Sequence, residues 1–288
     1  MINYNPKSWL HLIFALHKSD TLRILWKEMI YICFFSLFIT FVVLHYYPKT
    51  TVLSELKTVF SLIGFVISLL LVFRTNTAYD RWWEGRRKWG ELINDSRNLA
   101  SKLATILKTN EDKDFFKRMI TNFAYSSKDH LRNGVLIDEL DLIDNERNYL
   151  LNQKHIPLAI SQLMYARLFQ LKHNKEITEN DFLIIDKNLN NFMDCVGACE
   201  RIKNTPIPFS YSLFIKKFIF IYVTTLPLAF VTIFGYASAF IATYVFYVLV
   251  SMEVLAEEIE DPFGTDDNDL PVDTMCERIK ESSEQMLA

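Results

Sequence analysis

The sequence predicts an all-α protein in which four transmembrane helices continue into a cytosolic helical domain. Charge-free apolar runs of spanning length lie towards both ends of the chain. The polar segment between them has apolar residues at three- and four-residue steps, and no alternating β-branched run bounded by turns indicates a sheet. Half of the 288 residues are hydrophobic and 23% are charged, which indicates one part in lipid and another in water. The net charge of −3 argues against a nucleic-acid-binding protein.

The first two spans follow from runs without charged side chains. Residues 29–48 contain no Asp, Glu, Lys or Arg, and such a run rises about 30 Å as a helix, the thickness of a hydrocarbon core. The second run, Thr58–Phe73, is only 16 residues long. It reaches spanning length if the turn with Glu55 and Lys57 lies at the far interface, and the alternative is a buried core helix.

The third apolar region, Phe218–Met252, has no charged residue over 35 positions, which is too long for one span. Pro227 and Gly235 are expected to break it, so we predict a helical hairpin and four spans in total. The predicted organisation has four segments: 1–79 with an N-terminal cytosolic segment and the first two transmembrane helices, 80–207 as a cytosolic helical domain, 208–256 with the last two transmembrane helices, and 257–288 as an acidic cytosolic C-terminal segment.

Basic residues predict the orientation of the spans. They precede the first span, follow the second and precede the third: Lys7, Lys18, Arg23, Lys27, Arg74, Arg81, Arg86, Arg87, Lys88, Arg201, Lys203, Lys216 and Lys217. The loop between the first two spans offers only Lys49 and Lys57, and the last hairpin turn offers none. Both termini are therefore expected in the cytoplasm of a multi-pass protein of the cell membrane. The short tail after Leu270 suggests a bacterial protein, and hence the inner membrane.

Enzymatic motifs are missing from the sequence. It has no phosphate-binding glycine loop, HExxH, GxSxG or CxxC motif, its six histidines are isolated in sequence, and its four cysteines are expected to be structural. We therefore expect no enzyme, although a membrane enzyme that uses a few scattered acids is an alternative. Acids also cluster after the last span, on both sides of the segment PFG at 262–264. They are either calcium ligands or a solvated acidic loop, and the spacing is not that of an EF-hand.

Three segments together resemble one known family. They are GFVISLLLVFRTNTAYDRWWEGRRKWGELINDSRNLA at 64–100, ERIKNTPIPFSYSL at 200–213 and IEDPFGTDDNDLP at 259–271. In this order, and with four hydrophobic spans, they resemble the compact prokaryotic bestrophins from about Ser8 to Pro271. The resemblance implies an ion channel that assembles as a homopentameric ring around one central pore, with lipid, permeant ions and further copies of itself as partners.

The resemblance also implies roles for individual residues. Phe65, Leu69 and Phe73 match the three rings of a hydrophobic pore neck, and at i, i+4 and i+8 they share one helix face over about 12 Å. The alternative is that this stripe packs against the first and third spans. Ile207, before a proline, matches a cytosolic constriction. Arg81, Trp82 and Trp83 match residues that pack the membrane and cytosolic halves together, and Gly64 is expected to allow close helix approach.

The acids after PFG match, in part, the calcium clasp of animal members. Asp266, Asp267 and Asp269 occupy clasp positions, whereas Thr265 and Asn268 replace carboxylates. Because calcium affinity depends on the number of charged ligands, we predict that no cofactor, calcium included, is required for opening. Family precedent favours anions such as chloride. A cation-selective channel for sodium or potassium with the same architecture, and a membrane scaffold that does not conduct, are the alternatives.

Overall fold

A computed structural model describes residues 21–47 and 52–288, and all regular structure within these ranges is helical. The predicted all-α class is therefore confirmed. The α-helices are α1 (Thr21–Tyr46), α2 (Val52–Ile106), α3 (Asn110–His130), α4 (Asp144–Leu150), α5 (Ile156–His173), α6 (Glu179–Asn204), α7 (Phe209–Phe234), α8 (Ala237–Glu260) and α9 (Val272–Met286), with a 3-10 turn at Ile137–Glu139. Lys7, Lys18 and Lys49, used above to predict orientation, lie outside the described residues, as does the predicted N-terminal cytosolic segment up to residue 20.

The chain folds as two compact units. Of the described residues, the first comprises those up to Trp82, Pro206–Asp261 and Asp266–Asn268, and the second comprises Trp83–Thr205, Pro262–Thr265 and Asp269–Ala288. Helix α2 contributes to both, because it continues without interruption over 55 residues. The expected passage of one helix from an apolar to a charged sequence is thus confirmed.

Within residues 21–47 and 52–288, four helices are long and apolar enough to cross a membrane: α1, the first part of α2, α7 and α8, with mean hydropathies between 1.9 and 2.4. Their number agrees with the sequence prediction, but two details differ. Helix α1 already includes Thr21, the first described residue in this part of the chain, eight residues before the charge-free run. Pro227 lies inside α7 instead of ending it, and the hairpin turns at Gly235, whose φ of 51° is unfavourable for residues with a side chain.

Helix α7 continues through Pro227, and two hydroxyl groups in the preceding turn hydrogen-bond to the helix's own backbone. Thr224 Oγ1 donates to the carbonyl of Phe220 at 2.7 Å, and Thr225 Oγ1 donates to that of Ile221 at 2.6 Å. These bonds keep polar groups satisfied within the helix at the turn that proline weakens. Proline is therefore a weaker break signal in an apolar helix than the sequence prediction assumed.

The first unit is held together by close contacts between its spanning helices. Ile67 and Leu71 of α2 belong to a buried cluster with Ile215 of α7 and Phe246 of α8. A side chain at Gly64 would place its β-carbon 2.7 Å from the hydroxyl of Tyr222, so glycine allows the expected close approach of α2 and α7. Thr40 of α1 and Ser238 of α8 share a buried hydrogen bond of 3.0 Å.

The second unit packs α3 against α5 and α9, and α5 against α6. Its largest buried side chains include Trp89, Phe116, Phe123 and Phe192. Thr178 caps α6 in a capping box with Asp181, which explains the sharp start of this helix.

The C-terminal helix α9 was not predicted. Residues 257–288 were expected to be an acidic segment, but 272–286 form a helix whose buried side chains are Val272, Met275, Cys276, Ile279 and Ser283. These positions recur every three or four residues, so the signal is present in the sequence. Acidic residues on the exposed face concealed it, and burial of the apolar face against α3 explains why the helix forms.

Candidate functional site

The face of α2 that carries the three candidate neck residues is exposed. The exposed fractions are 66% for Phe65, 44% for Leu69 and 55% for Phe73, whereas Ile67 and Leu71, roughly opposite, are 1% and 3% exposed. Among the described residues, the packing alternative therefore applies to Ile67 and Leu71 and not to the three candidate neck residues. Their face is available to lipid, to a second copy of the chain or to an aqueous pore.

Two polar residues follow on the same face, one and two turns beyond Phe73. Asn76 and Asp80 are both exposed, and their spacing from Phe73 keeps them on its side of the helix. On this face of α2, three exposed apolar side chains are thus followed by a negatively charged one. Electrostatics at this position would favour cations locally.

Arg74, next to Phe73, is buried instead of exposed. Only 1% of its side chain is accessible, and its Nη2 lies 2.6 Å from Glu260 Oε2, with Nε 3.6 Å from Glu253 Oε2. Sequence reasoning used Arg74 only as a basic residue that flanks the second span, and it left the acids after the last span as either calcium ligands or a solvated loop. Glu253 and Glu260 instead lie in α8 and form ion pairs with Arg74 that offset the cost of burial.

Ile207 contacts the same cluster through its backbone. The peptide N–H of Ile207 donates to Glu260 Oε1 at 2.6 Å, and Arg81 Nε donates to the main-chain carbonyl of Glu260 at 3.1 Å. The candidate constriction residue and the candidate packing residue Arg81 therefore meet at one glutamate. Sequence reasoning identified Ile207 and Arg81 but missed Glu260, since the residues are far apart in the chain.

The two tryptophans behave differently. Trp82 Nε1 donates to the main-chain carbonyl of Asn268 at 3.1 Å, which fixes its indole within the first unit. Trp83 belongs to the second unit and is 54% exposed. Because Trp82 and Asn268 belong to the same unit, the role of both tryptophans in packing the two halves together stays a prediction.

The acids of the candidate calcium clasp also differ in burial. Asp269 is 2% exposed, and a β-carbon at Gly264 would lie 2.6 Å from its Oδ2, so glycine is required beside this carboxylate. Asp266 is exposed and Asp267 is half-buried. Carboxylate oxygens are suitable calcium ligands, but Thr265 and Asn268 reduce the charge of the set. Calcium binding stays a prediction.

Two histidines that are isolated in sequence meet in the second unit. Nε2 of His130 lies 2.6 Å and Nε2 of His155 lies 2.8 Å from Glu200 Oε1, at the junction of α3, α5 and α6. His155 Nδ1 accepts the N–H of Leu158 at 3.1 Å and so caps α5. Because Nδ1 is an acceptor, the proton of a neutral His155 lies on Nε2 and is donated to Glu200.

This tautomer decides what the cluster can do. Two imidazoles and a carboxylate are zinc ligands by type, and their ligand atoms lie within 4.8 Å of one another. However, the Nε2 lone pair of His155 is unavailable while Nδ1 caps the helix. The arrangement therefore does not fit a metal without loss of the cap, and it is best described as a hydrogen-bonded bracket of three helices.

Four apolar helices, one of them carrying an exposed apolar face, define a multi-pass membrane protein. Over residues 1–285 the chain matches the family described as Bacterial/Fungal Bestrophin protein. It is 34% identical to a voltage-dependent anion channel-forming protein of Nostoc, with 97% of this chain and 92% of the relative covered. The protein YneE of Escherichia coli, which carries the same description, is 32% identical with the same coverage.

Solved structures agree with these sequence relatives. A bacterial bestrophin homologue from Klebsiella pneumoniae is 28% identical and superposes with a TM-score of 0.83, covering 91% of this chain and 98% of that structure. The protein described here belongs to the bacterial and fungal bestrophin family.

Proposed function

We propose that the protein is an anion channel of a bacterial inner membrane, which passes small monovalent ions passively through a homopentameric pore. The observation that carries this proposal is the exposed face of Phe65, Leu69 and Phe73 on a helix whose opposite side is buried. Two relatives that cover nearly the whole chain are described as voltage-dependent anion channel-forming proteins, which supports an anion as the permeant ion. In this proposal Phe65, Leu69 and Phe73 form the neck of the pore, and Ile207 forms a second constriction.

The geometry suggests how such a pore conducts. Aromatic and aliphatic rings offer an ion nothing to replace its hydration shell, so a narrow collar is closed by dewetting and a slightly wider one conducts. The apolar collar spans about 12 Å from Phe65 to Phe73. Small changes in the diameter of the rings therefore control the current, and no separate segment has to move in and block the pore.

Self-association and orientation are part of the same proposal. In a single chain, a face of three large apolar side chains cannot enclose a water-filled pore. A ring of identical copies can enclose one, with this face of each copy turned towards the centre. The basic residues that flank the spans favour both termini on the cytoplasmic side. The fold and the family relationship point to transport and not to catalysis.

The first test is the reversal potential of the purified protein in a planar bilayer, with an about tenfold potassium chloride gradient. A shift towards the chloride equilibrium potential is expected. The double variant Leu69→Ala with Phe73→Ala should raise the conductance, because smaller rings hydrate more easily. Phe38→Ala is the matched control, since Phe38 is an exposed aromatic residue of another span, 62% accessible. Equal conductance in both variants would contradict the neck assignment.

A cation-selective pore of the same architecture is the second candidate, and Asp80 favours it. Its exposed carboxylate follows the neck on the same helix face, where it would attract cations and repel chloride. A reversal potential close to that of potassium would establish this alternative. If neither the wild type nor the double neck variant conducts, the protein is a membrane scaffold.

We further propose that opening does not require calcium. The donor set retains Asp266, Asp267 and Asp269 but has Thr265 and Asn268 where animal bestrophins carry acids, which lowers the affinity for a doubly charged ion. Currents recorded with calcium chelated should equal those in millimolar calcium. A steep rise of the current on calcium titration contradicts this proposal.

A further inference from the structure

Glu260 holds together two features that the proposed function treats separately. It is the last residue of α8, and its side chain is 12% exposed. One carboxylate oxygen lies 2.6 Å from Nη2 of Arg74, the residue that follows the neck residue Phe73. The other oxygen accepts the peptide N–H of Ile207, also at 2.6 Å.

We propose that Glu260 is a positioning residue that links the neck to the constriction at Ile207. One carboxylate oxygen of Glu260 binds Arg74, in the turn of α2 that carries Phe73, and the other binds the backbone of Ile207. The two narrow points of the pore therefore change diameter together. The inference rests on the proposed function, because it requires Phe73 and Ile207 to line the pore. All the residues involved belong to the first unit of the structure.

The segment around Ile207 is built so that one hydrogen bond can hold it. Ile207 lies between Pro206 and Pro208. Prolines have no N–H and a fixed φ, so the peptide N–H of Ile207 is the only backbone donor of this three-residue segment, and the segment has few conformations. Anchoring that single N–H therefore fixes where the isoleucine side chain lies.

The other half of the link is equally constrained. The Arg74 guanidinium carries a positive charge and is 1% exposed, so it requires a buried anionic partner. A short contact between charged groups away from water is strong and weakly screened. Arg81, two turns further along α2, donates to the main-chain carbonyl of Glu260 at 3.1 Å. Helix α2 thus holds Glu260 by both its side chain and its backbone.

The test begins with Glu260→Gln, compared with Glu257→Gln as a matched control. Arg74 and Ile207 contact different oxygens of Glu260. In a glutamine one of these oxygens is replaced by an NH₂ donor, so in this geometry only one of the two contacts is kept. Glu257 also lies on α8 and pairs with a lysine, Lys216, at 2.9 Å, but this pair is exposed and does not contact Ile207. Released from its anchor, Ile207 should admit larger ions. We expect the permeability of gluconate relative to chloride to rise about twofold or more in Glu260→Gln and to stay unchanged in Glu257→Gln.

A second variant removes only the hydrogen bond. Incorporation of the α-hydroxy analogue of isoleucine at position 207 replaces the peptide N–H by an ester oxygen and leaves Glu260 and Arg74 intact. This protein keeps its buried ion pair, so it remains informative if Glu260→Gln folds poorly. The permeability ratio should shift in the same direction as in Glu260→Gln.

Additivity separates positioning from a general effect on structure. If Glu260 acts through Ile207, the effects of Glu260→Gln and Ile207→Ala on the permeability ratio should be non-additive in the double variant. Additive effects, or a wild-type ratio in the ester protein, overturn the inference while the wild type still conducts. Absence of current in the wild type and in the neck variants overturns the proposed function itself.

Discussion

Asp80 is the residue whose charge most directly opposes the proposed anion preference. It is exposed, and it follows Phe73 by seven positions on the same helix face. In Asp80→Asn we expect the reversal potential to move further towards chloride, because the proposed channel then lacks the negative charge that follows the candidate neck residues. The effect should be larger at low ionic strength, where charges are less screened.

The measurement is the reversal potential of wild type and variant at two ionic strengths. Glu139→Gln serves as the control, since Glu139 is an exposed acid of the second unit. If Asp80→Asn and Glu139→Gln give the same reversal potential as the wild type, Asp80 does not face the ion path.

His155 is expected to stabilise the second unit without taking part in conduction. Replacement by alanine removes the cap of α5 and one hydrogen bond to Glu200, and loss of an N-cap costs about 1 kcal/mol. We expect a lower apparent melting temperature for His155→Ala in detergent, with an unchanged permeability ratio. His173→Ala, at an exposed histidine, should melt like the wild type. A wild-type melting temperature in His155→Ala would contradict the capping role.

At the scale of elements, α9 is held to the turn that follows α3 by a contact that depends on pH. Asp273 accepts from both terminal nitrogens of Arg132, at 3.1 Å and 2.9 Å. Hydrogen bonds from Arg132 lower the pKa of Asp273 below its ordinary value of 3.8, against the opposing effect of burial. The stabilisation is therefore present above the pKa of the unfolded chain and is lost as the pH falls through the lower, folded value.

We predict a small effect, because 58% of the Asp273 side chain is exposed and solvent screens the pair. Asp273→Asn should lower stability by at most about 1 kcal/mol at neutral pH. The difference between wild type and variant should shrink as the pH approaches 3. Melting temperatures over a pH series measure this, and a difference that grows on acidification would contradict the assigned sign.

The elements show how far the sequence allowed prediction. The spans were predictable because bilayer thickness sets the length of a charge-free run, and α2 was predictable as one helix because nothing in 64–84 breaks it. Helix α9 was missed although its apolar positions recur at helical spacing. Local patterns thus carry most of the helices.

The contacts at the candidate site required the fold. Arg74 lies in α2 and Glu260 at the end of α8, far apart in the chain. Glu200 lies 70 and 45 residues from the histidines that it binds. No local pattern encodes such partners, since any acid of the chain has a similar sequence context. The neck residues were identified by family resemblance, and their exposure became visible only when the buried face of α2 was located.

At the scale of the whole molecule, the cysteines report whether the fold is intact. Cys195, Cys199 and Cys276 are buried free thiols, and burial raises the pKa of Cys195 and of Cys276 to about 12. Because only the thiolate reacts, roughly one such thiol in ten thousand is reactive at pH 8. In Cys33→Ser, we therefore expect almost no reaction with a thiol reagent in the native protein and a stoichiometric reaction after denaturation.

The rate of thiol modification of Cys33→Ser, measured with and without denaturant, checks this prediction. A control that adds Ser101→Cys to this variant should react in the native state, because Ser101 is an exposed residue of the second unit. Fast native modification of Cys33→Ser alone would show that the second unit opens frequently.

The uninterrupted course of α2 restricts how this sequence can change in evolution. Each residue of a helix adds a rotation of about 100°, so inserting or deleting one residue between Phe73 and Arg81 would turn one relative to the other by more than a quarter of a circle. Arg81 would then point away from the Glu260 carbonyl that it contacts. Loops absorb such changes in length, whereas α2 is not interrupted by a loop over its 55 residues. Substitutions are therefore expected to accumulate along α2 in related sequences, while its length between these two residues stays constant.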